Sequence, residues 1–219
     1  EQNTQFDNFR ARFTKYYPIE MFLTIPGNHE IKGSSELEAG FAAKFPEFTS
    51  RQDVVFLDGY NHSVWYYDVG DTRIFGLNTS HPGEEHAVVN DQYDFVKNNI
   101  DRSKKSTIFI FHEPAFSIWK SGNAQERNRV ARNELWDLIE TAPNPIAFTG
   151  HEHLYARRLI NSQFNETING KAYSFDKQVY QVHVGGFGAG TNGTSNEFKG
   201  VVTYPEAMGV SHFAVVHLL

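Results

Sequence analysis

Short apolar runs in this chain stop abruptly at side chains that bind metals, and that pattern limits the folds open to it. "IPGNHE" occupies Ile25 to Glu30 and "FTGHEH" occupies Phe148 to His153, and in both a glycine ends the run. Between them "STIFIFHE" ends directly in His112-Glu113. Continuous apolar runs of this kind are strands buried on both faces, as at the centre of an α/β sheet. In open α/β sheets, ligands lie beyond the carboxyl ends of the strands. Loops leaving neighbouring strand ends can meet there without straining the sheet. Glycine at 27 and 150 carries no Cβ and lets the backbone approach a metal ion or an anion closely.

The rest of the chain supplies the layers around such a sheet. Phe6, Phe9 and Phe13, continued by Tyr16, predict an amphipathic helix over residues 3–16. Pro18 ends it, and "IEMFLTI" reads as a buried strand that turns at Pro26-Gly27. A second helix is predicted from Glu36 to Phe45. "HSVWYYDV" and "TRIFGLN" flank Gly70-Asp71 as a hairpin. Helices follow near Asp91 to Ile100 and over 124–141, the longest, with Val130, Leu135, Leu138 and Ile139 on one face. Shorter β segments come last, at His153–Ile160, Lys171–Val184 and Val210–Leu219. The stretch "GGFGAGTNGTSN" lacks the Lys-Ser/Thr and the following helix of a P-loop, so it reads as a flexible loop. Strands alternating with helices, then hairpins, predict an α/β layered sandwich, and 219 residues suit a single domain over 1–219.

Composition narrows the function. With 40% hydrophobic and 21% charged residues, the chain can bury a core. A net charge of −6 argues against a general nucleic-acid binder, which needs a basic face for phosphates. No apolar run approaches the roughly 20 residues that cross a bilayer, so no membrane span is expected. The start, "EQNTQFDNFR", has no signal-peptide pattern. Without cysteine there is no disulfide, thiolate ligand or cysteine nucleophile, and a transition-metal site must be built from His, Asn, Asp and Glu. Sequons begin at Asn61, Asn78, Asn165 and Asn192 in loop-like sequence, and point to a secreted or extracytoplasmic glycoprotein.

Each candidate ligand has an ordinary reading by itself. A lone His112 at a strand end is more often a hydrogen-bonded rim histidine, and Asn28 after glycine is usual turn chemistry. His151 and His153 are more telling, because residues i and i+2 of an extended segment face the same side and reach one ion, or two adjacent ions. Phe116 stands where a zincin helix would need a second histidine, which excludes that class. His62, His81, His86, His183, His212 and His217 lack such partners and read as structural.

Together, "GNHE" at 27–30, "FIFHEP" at 109–114 and "GHEH" at 150–153 resemble the last three motifs of the calcineurin-like, binuclear metallophosphoesterases. Glu30, "GHEHLYARR" and the paired strands "SVWYYDVGDTRIFGLNTS" lean toward the purple acid phosphatase branch. The resemblance spans roughly residues 19–217 and implies a layered α/β/β/α sandwich. It implies that Asn28, His112 and His151 hold one metal and His153 the other, with His29 binding phosphate and protonating the leaving group. Two ions of Zn, Fe or Mn would polarise the phosphoryl oxygens of a phosphate ester and supply hydroxide from water.

The family begins with an Asp-x-His motif and a Gly-Asp motif whose Asp bridges the metals, and neither stands before residue 27. The resemblance therefore implies a domain lacking its first strands, whose missing N-terminal segment is a partner, and at most one metal on this chain alone. The implied function is a metal-dependent phosphoesterase acting on a monoester or diester, inactive as this piece. The rival is a non-catalytic binding domain that has lost half the metal site.

Overall fold

A computed structural model describes residues 2–119, 122–186, 190, 202–203 and 212–218. In chain order come α1 (Gln2–Phe13), a 3-10 turn (Ile19–Met21), α2 (Asn28–Ile31), α3 (Ser35–Ala43) and α4 (Pro46–Thr49). Then follow β1 (Val54–Phe56), β2 (Trp65–Val69), β3 (Thr72–Leu77), α5 (Asn90–Asn99) and β4 (Ser106–Phe111). A 3-10 turn (Ala124–Asn128) leads into α6 (Arg129–Ile139). The chain continues through β5 (Pro145–Thr149), β6 (Tyr155–Ile160), β7 (Asn165–Ile168), β8 (Lys171–Ser174), β9 (Val179–Val184) and β10 (Val202–Thr203).

Eight strands form one mixed sheet in the order β1-β2-β3-β4-β5-β9-β6-β10, and β7 and β8 make a separate hairpin. The centre, β3-β4-β5-β9, is parallel, with antiparallel pairs on both flanks. Side chains alternate across a strand, so each central strand offers two apolar rows. One row, with Phe75, Leu77, Phe109, Phe111 and Ala147, packs on Val96 of α5 and on Leu135, Trp136 and Ile139 of α6. The opposite row, with Ile74, Ile108, Ile110, Phe148 and Val184, lines an apolar groove of about 470 Å³. Residues 212–218 lie along this second face without regular structure, and Phe213 and Val215 remain 74% and 67% exposed. Among the described residues the sheet therefore carries helices on one face and, on the other, an apolar groove bordered by residues 212–218.

A second core joins the N-terminal helices to the sheet edge. Phe6 and Phe9 of α1 pack with Phe41, Phe45, Phe48 and Trp65. Arg10 clamps Glu47 through Nη1 at 2.9 Å and Nη2 at 2.6 Å, tying α1 to α4. Glu38 of α3 is buried, and its carboxylate accepts from Asn61 Nδ2 (3.1 Å), Ser63 Oγ (2.8 Å) and Asn78 Nδ2 (2.6 Å), with His81 Nδ1 at 3.0 Å. Four polar side chains thus satisfy one buried charge.

Several expectations change. Residues 19–25 give a 3-10 turn and then extended chain, not a strand, because no described strand ladders with them. The carbonyl of Thr24 is taken instead by the Trp65 indole at 2.9 Å. The helix expected over 124–141 starts as a 3-10 turn, so α6 has 11 residues and α1, with 12, is longer. The segment 171–184 divides into β8 and β9, and β1 and β7 had no counterpart in the sequence reading. Within 210–219 the described residues, 212–218, form no strand. Most of the glycine-rich stretch and Asn192 lie outside the described residues. Of the other sequons, Asn165 is exposed and Asn61 half-buried, but Asn78 is fully buried and so contradicts the expected exposure. No helix among the described residues is long and apolar enough to cross a membrane.

Candidate functional site

Strand register creates the site. In the parallel pair β4–β5, Phe111 stands opposite Thr149, so His112 and Gly150 leave the sheet side by side. Gly150 N donates to His112 O at 3.0 Å and fixes the two exits together. His151 then turns with φ +61, a left-handed conformation uncommon for a residue with a Cβ. The third approach is the segment before α2, where Gly27 N donates to Glu30 Oε2 at 2.8 Å. That bond is half of a capping box, and it explains the glutamate of "GNHE" as the residue that sets the helix start. Asn28, the first residue of α2, is thereby aimed at the strand ends.

Three predicted residues meet in contact. Asn28 Oδ1 is 3.0 Å from His112 Nε2 and 3.4 Å from His151 Nδ1, and the two imidazoles stand edge to face at 5.3 Å. Gly27 and Gly150 serve this contact: a Cβ on Gly27 would come within 2.8 Å of His112 Cε1, and one on Gly150 within 3.3 Å of His112 Nδ1. The space is therefore spent on the His112 ring, not on an approaching ion as the sequence suggested.

The remaining two border the cluster. His153 and His29 both lie near enough to His112 and His151 to disfavour their protonation. His153 places Nδ1 at 2.7 Å from Gly190 O, the backbone support usual behind ligating imidazoles. His29 lines a groove of about 820 Å³ with Phe6, Phe9, Phe41 and Phe45.

Electrostatics favour neutral imidazoles here. Burial pushes the His112 pKa down to about 3, with further lowering from His151, His29 and His153. Burial also lowers His151, partly offset by the nearby Glu152. A neutral imidazole keeps the lone pair that a metal needs.

The donor set can be tested for fit. Ligands about 2.1 Å from one ion and at right to tetrahedral angles stand about 3.0–3.4 Å apart. The two contacts of Asn28 Oδ1 fall in that range. Asn28 thus stands at ligand spacing from each of the two histidines, as a shared ion would require of it. All three are uncharged, and among the described residues no group of three His, Cys, Asp or Glu stands in ligand geometry. The fit covers part of one metal's coordination and does not extend to a second.

A set of polar residues behind the cluster escaped the sequence reading. Glu152, between the two histidines, is fully buried and accepts from the Ser117 hydroxyl, Ile118 N (2.8 Å) and Trp119 N (3.1 Å). His183 Nδ1 approaches Glu152 Oε2 at 3.3 Å and Gln181 Nε2 lies 2.8 Å from His183 Nε2, so His183 has a carboxylate neighbour after all. Burial pushes the Glu152 pKa up, but His183, Ser117 and the Ile118 N–H more than offset this and leave it lowered. His86 likewise has partners, Glu113 Oε2 at 2.7 Å and Arg127 Nη1 at 2.9 Å, and His81 has Glu38. Asn123 Nδ2 lies 3.3 Å from His151 Nε2. The sequence signal for these was slight: each is a single polar residue whose partner is distant in the chain.

The architecture matches known structures. A purple acid phosphatase isolated from yellow lupin (Lupinus luteus) seeds superposes with a TM-score of 0.62 over 90% of this chain, at 22% identity. The fold is metallophosphoesterase-like. The chain spans 36% of that phosphatase's length. A structure of PhoD aligns with a TM-score of 0.45 at 12% identity, over 82% of this chain and 38% of the other. No family model and no curated protein matches the sequence. The sheet here places the motifs of His112 and His151 at the carboxyl ends of the parallel β4 and β5, and the start of α2 brings Asn28 to them.

Proposed function

We propose that the protein is the C-terminal portion of a metal-dependent phosphoric ester hydrolase domain. The observation that carries this reading is the meeting of Asn28 Oδ1 with His112 Nε2 and His151 Nδ1 beyond the parallel strands. The likeness to a purple acid phosphatase supports the class of reaction. In this reading Asn28, His112 and His151 hold one ion, and His153 reaches toward a second. Bound there, such ions polarise phosphoryl oxygens and make water a nucleophile near neutral pH. In the same reading His29 binds phosphate and protonates the departing alkoxide. His112, kept neutral by burial, stays available as a ligand.

Residues 1–219 form one domain in this reading. A further segment covers the apolar face at Ile74, Ile108, Ile110 and Phe148 and supplies the carboxylates that two cations require. Zn, Fe or Mn suits a site of imidazole, amide and carboxylate donors. The exposed Asn165 suits a secreted glycoprotein.

A second reading has its own support. Among the described residues no group of three His, Cys, Asp or Glu stands in ligand geometry. A non-catalytic binding domain on the same fold would need none. The test is an aryl phosphate assay with added Zn, Mn or Fe on this chain and on the full gene product that contains it. Turnover by the longer protein, abolished by His112→Ala, is expected. No turnover by either, with metal bound, would favour the non-catalytic domain.

A further inference from the structure

The 3-10 turn over Ala124–Asn128 lies against the histidine cluster, and its side chains divide cleanly between anchors and presenters. Gln125 is fully buried, and its Nε2 donates to Glu113 O at 2.7 Å. Its backbone N donates to Pro114 O at 3.3 Å. Glu126 turns the other way and accepts from Ser117 N at 3.1 Å and Gly122 N at 2.7 Å. The turn is therefore fastened to the segment that follows His112. Asn123, just before it, touches His151, and Ala124 holds φ +51. A non-glycine residue in that conformation persists only where its surroundings impose it.

Arg127 leaves this turn beside the cluster. Its Nη1 is 2.9 Å from His86 Nε2, and His86 Nδ1 is 2.7 Å from Glu113 Oε2. A guanidinium only donates and a carboxylate oxygen accepts. These partners assign Nδ1 of His86 to face the carboxyl group and Nε2 to face Arg127. Glu113 is fully buried next to His112, and His86 itself holds φ +64. An exposed arginine ordinarily samples many rotamers, and fixing one is unfavourable by up to about 2 kcal/mol. Here a chain from a buried carboxylate through an imidazole orients it. The group that it touches is an imidazole and not a carboxylate, so its charge is directed without being paired at that contact.

The position matches the size of a substrate. Arg127 follows Asn123, which touches His151, by only four positions, so their Cα atoms stand at most about 14 Å apart. His86 is close enough to His151 to affect its protonation. A phosphoryl group at the histidines would leave its alcohol portion within reach of the guanidinium.

We propose that Arg127, oriented by His86 and Glu113, selects phosphate esters whose alcohol carries a second anionic group. This deepens the proposed function and rests on it. Arg127 is the specificity residue, and His86 and Glu113 position it. A carboxylate or second phosphoryl group would receive charge-assisted hydrogen bonds from the guanidinium.

The test compares two probes with one carbon skeleton, 3-phosphoglycerate and glycerol 3-phosphate, which differ by a carboxylate in place of a hydroxymethyl group. Binding is followed by shifts of amide resonances of the isotope-labelled protein. The carboxylate probe is expected to bind about tenfold more tightly. Arg127→Ala should reduce this ratio to below about twofold and leave glycerol 3-phosphate within twofold of its original affinity. His86→Leu should lower the ratio in the same direction, and Arg127→Lys should restore part of it. Arg129→Ala, whose side chain pairs with Glu166 elsewhere, should leave the ratio unchanged. Equal binding of both probes, binding of neither, or a ratio unaltered by Arg127→Ala would overturn the proposal. The outcome separates from that of the hydrolysis assay. Turnover with an unaltered ratio removes only the role of Arg127, whereas an Arg127-dependent ratio without turnover removes only the hydrolase.

Discussion

His112 Nε2 stands 3.0 Å from Asn28 Oδ1, although 84 positions separate the two residues in the chain. The contact depends on a parallel strand register, a capped one-turn helix and a glycine that gives way to an imidazole. Each of these can be disturbed separately, and the consequences differ.

Gly27 is the most direct point of attack. A Cβ there would lie 2.8 Å from both His112 Cε1 and Glu30 Oε2, so Gly27→Ala should shift the His112 ring or break the cap. Overpacking of this sort destabilises by about 1–3 kcal/mol. Gly40 lies inside α3, and a Cβ there meets nothing within 4 Å. Gly40→Ala should stabilise by about 0.5–1 kcal/mol through helix propensity. Urea denaturation of the two variants should give opposite signs, and a Gly27→Ala variant as stable as the wild type would refute the packing described at Gly27.

Glu152 secures the loop of His151 and His153. Glu152→Ala would leave the Ser117 hydroxyl and the N–H groups of Ile118 and Trp119 without their buried acceptor. Removing one partner of a buried charged network is unfavourable by about 3–5 kcal/mol. Hydrogen exchange should show protection lost first at Ile118 and Trp119. Unchanged protection at those two amides would mean that the carboxylate is not their partner.

Acid should weaken the metal-free protein before most carboxylates titrate. The folded-state pKa of His112 is depressed to about 3, against about 6.5 when unfolded. Between those values the unfolded chain binds a proton that the folded chain refuses, so stability falls as pH drops through that window. His151 and His183 are lowered as well and act in the same direction. Burial raises the pKa of Glu113, which opposes the trend at the lower end. His112→Gln should flatten the dependence between pH 6.5 and pH 4.5, measured by denaturant titration at each pH. An equally steep slope in that variant would show that His112 is not the group responsible.

Glycan placement tests the buried asparagine. Asn78 Nδ2 donates to Glu38 Oε1 at 2.6 Å and to Ser63 Oγ at 2.9 Å, and a glycan on that nitrogen would end both bonds. Protein from a glycosylating cell should carry sugar at Asn165, which is exposed on β7, and none at Asn78. Peptide mapping by mass spectrometry reads this directly, and a glycan at Asn78 would contradict the fold around Glu38.

Legibility in the sequence followed the range of the interactions. The β2–β3 hairpin and the buried β4 and β5 were readable, because a turn at Gly70-Asp71 and unbroken apolar runs are local signals. The convergence of His112 with His151 was readable for a topological reason, since the ends of parallel strands share one side, whereas Asn28 reaches them from the start of α2 and not from a strand. The strand expected at 19–25 was not realised, since a strand is defined by its neighbour and an apolar run cannot announce one. Asn78 looked like a surface sequon, because its acceptor Glu38 is 40 positions away. Arg127, His86 and Glu113 were illegible for the same reason, as were the side-chain bonds of Gln125 and Glu126 that hold a 3-10 turn where a longer helix was expected.

Metal binding tests the central claim most directly. Equilibrium dialysis of the 219-residue chain against Zn or Mn, with bound metal measured by mass spectrometry, should find at most one ion per chain. Its affinity should be modest, since three neutral donors hold it without a carboxylate. His112→Ala, shown by circular dichroism to remain folded, should weaken that binding at least about tenfold, as loss of one of three ligands demands. Stoichiometric binding that survives His112→Ala, or no binding by the wild-type chain at millimolar metal, would contradict the assignment of Asn28, His112 and His151 as a metal site.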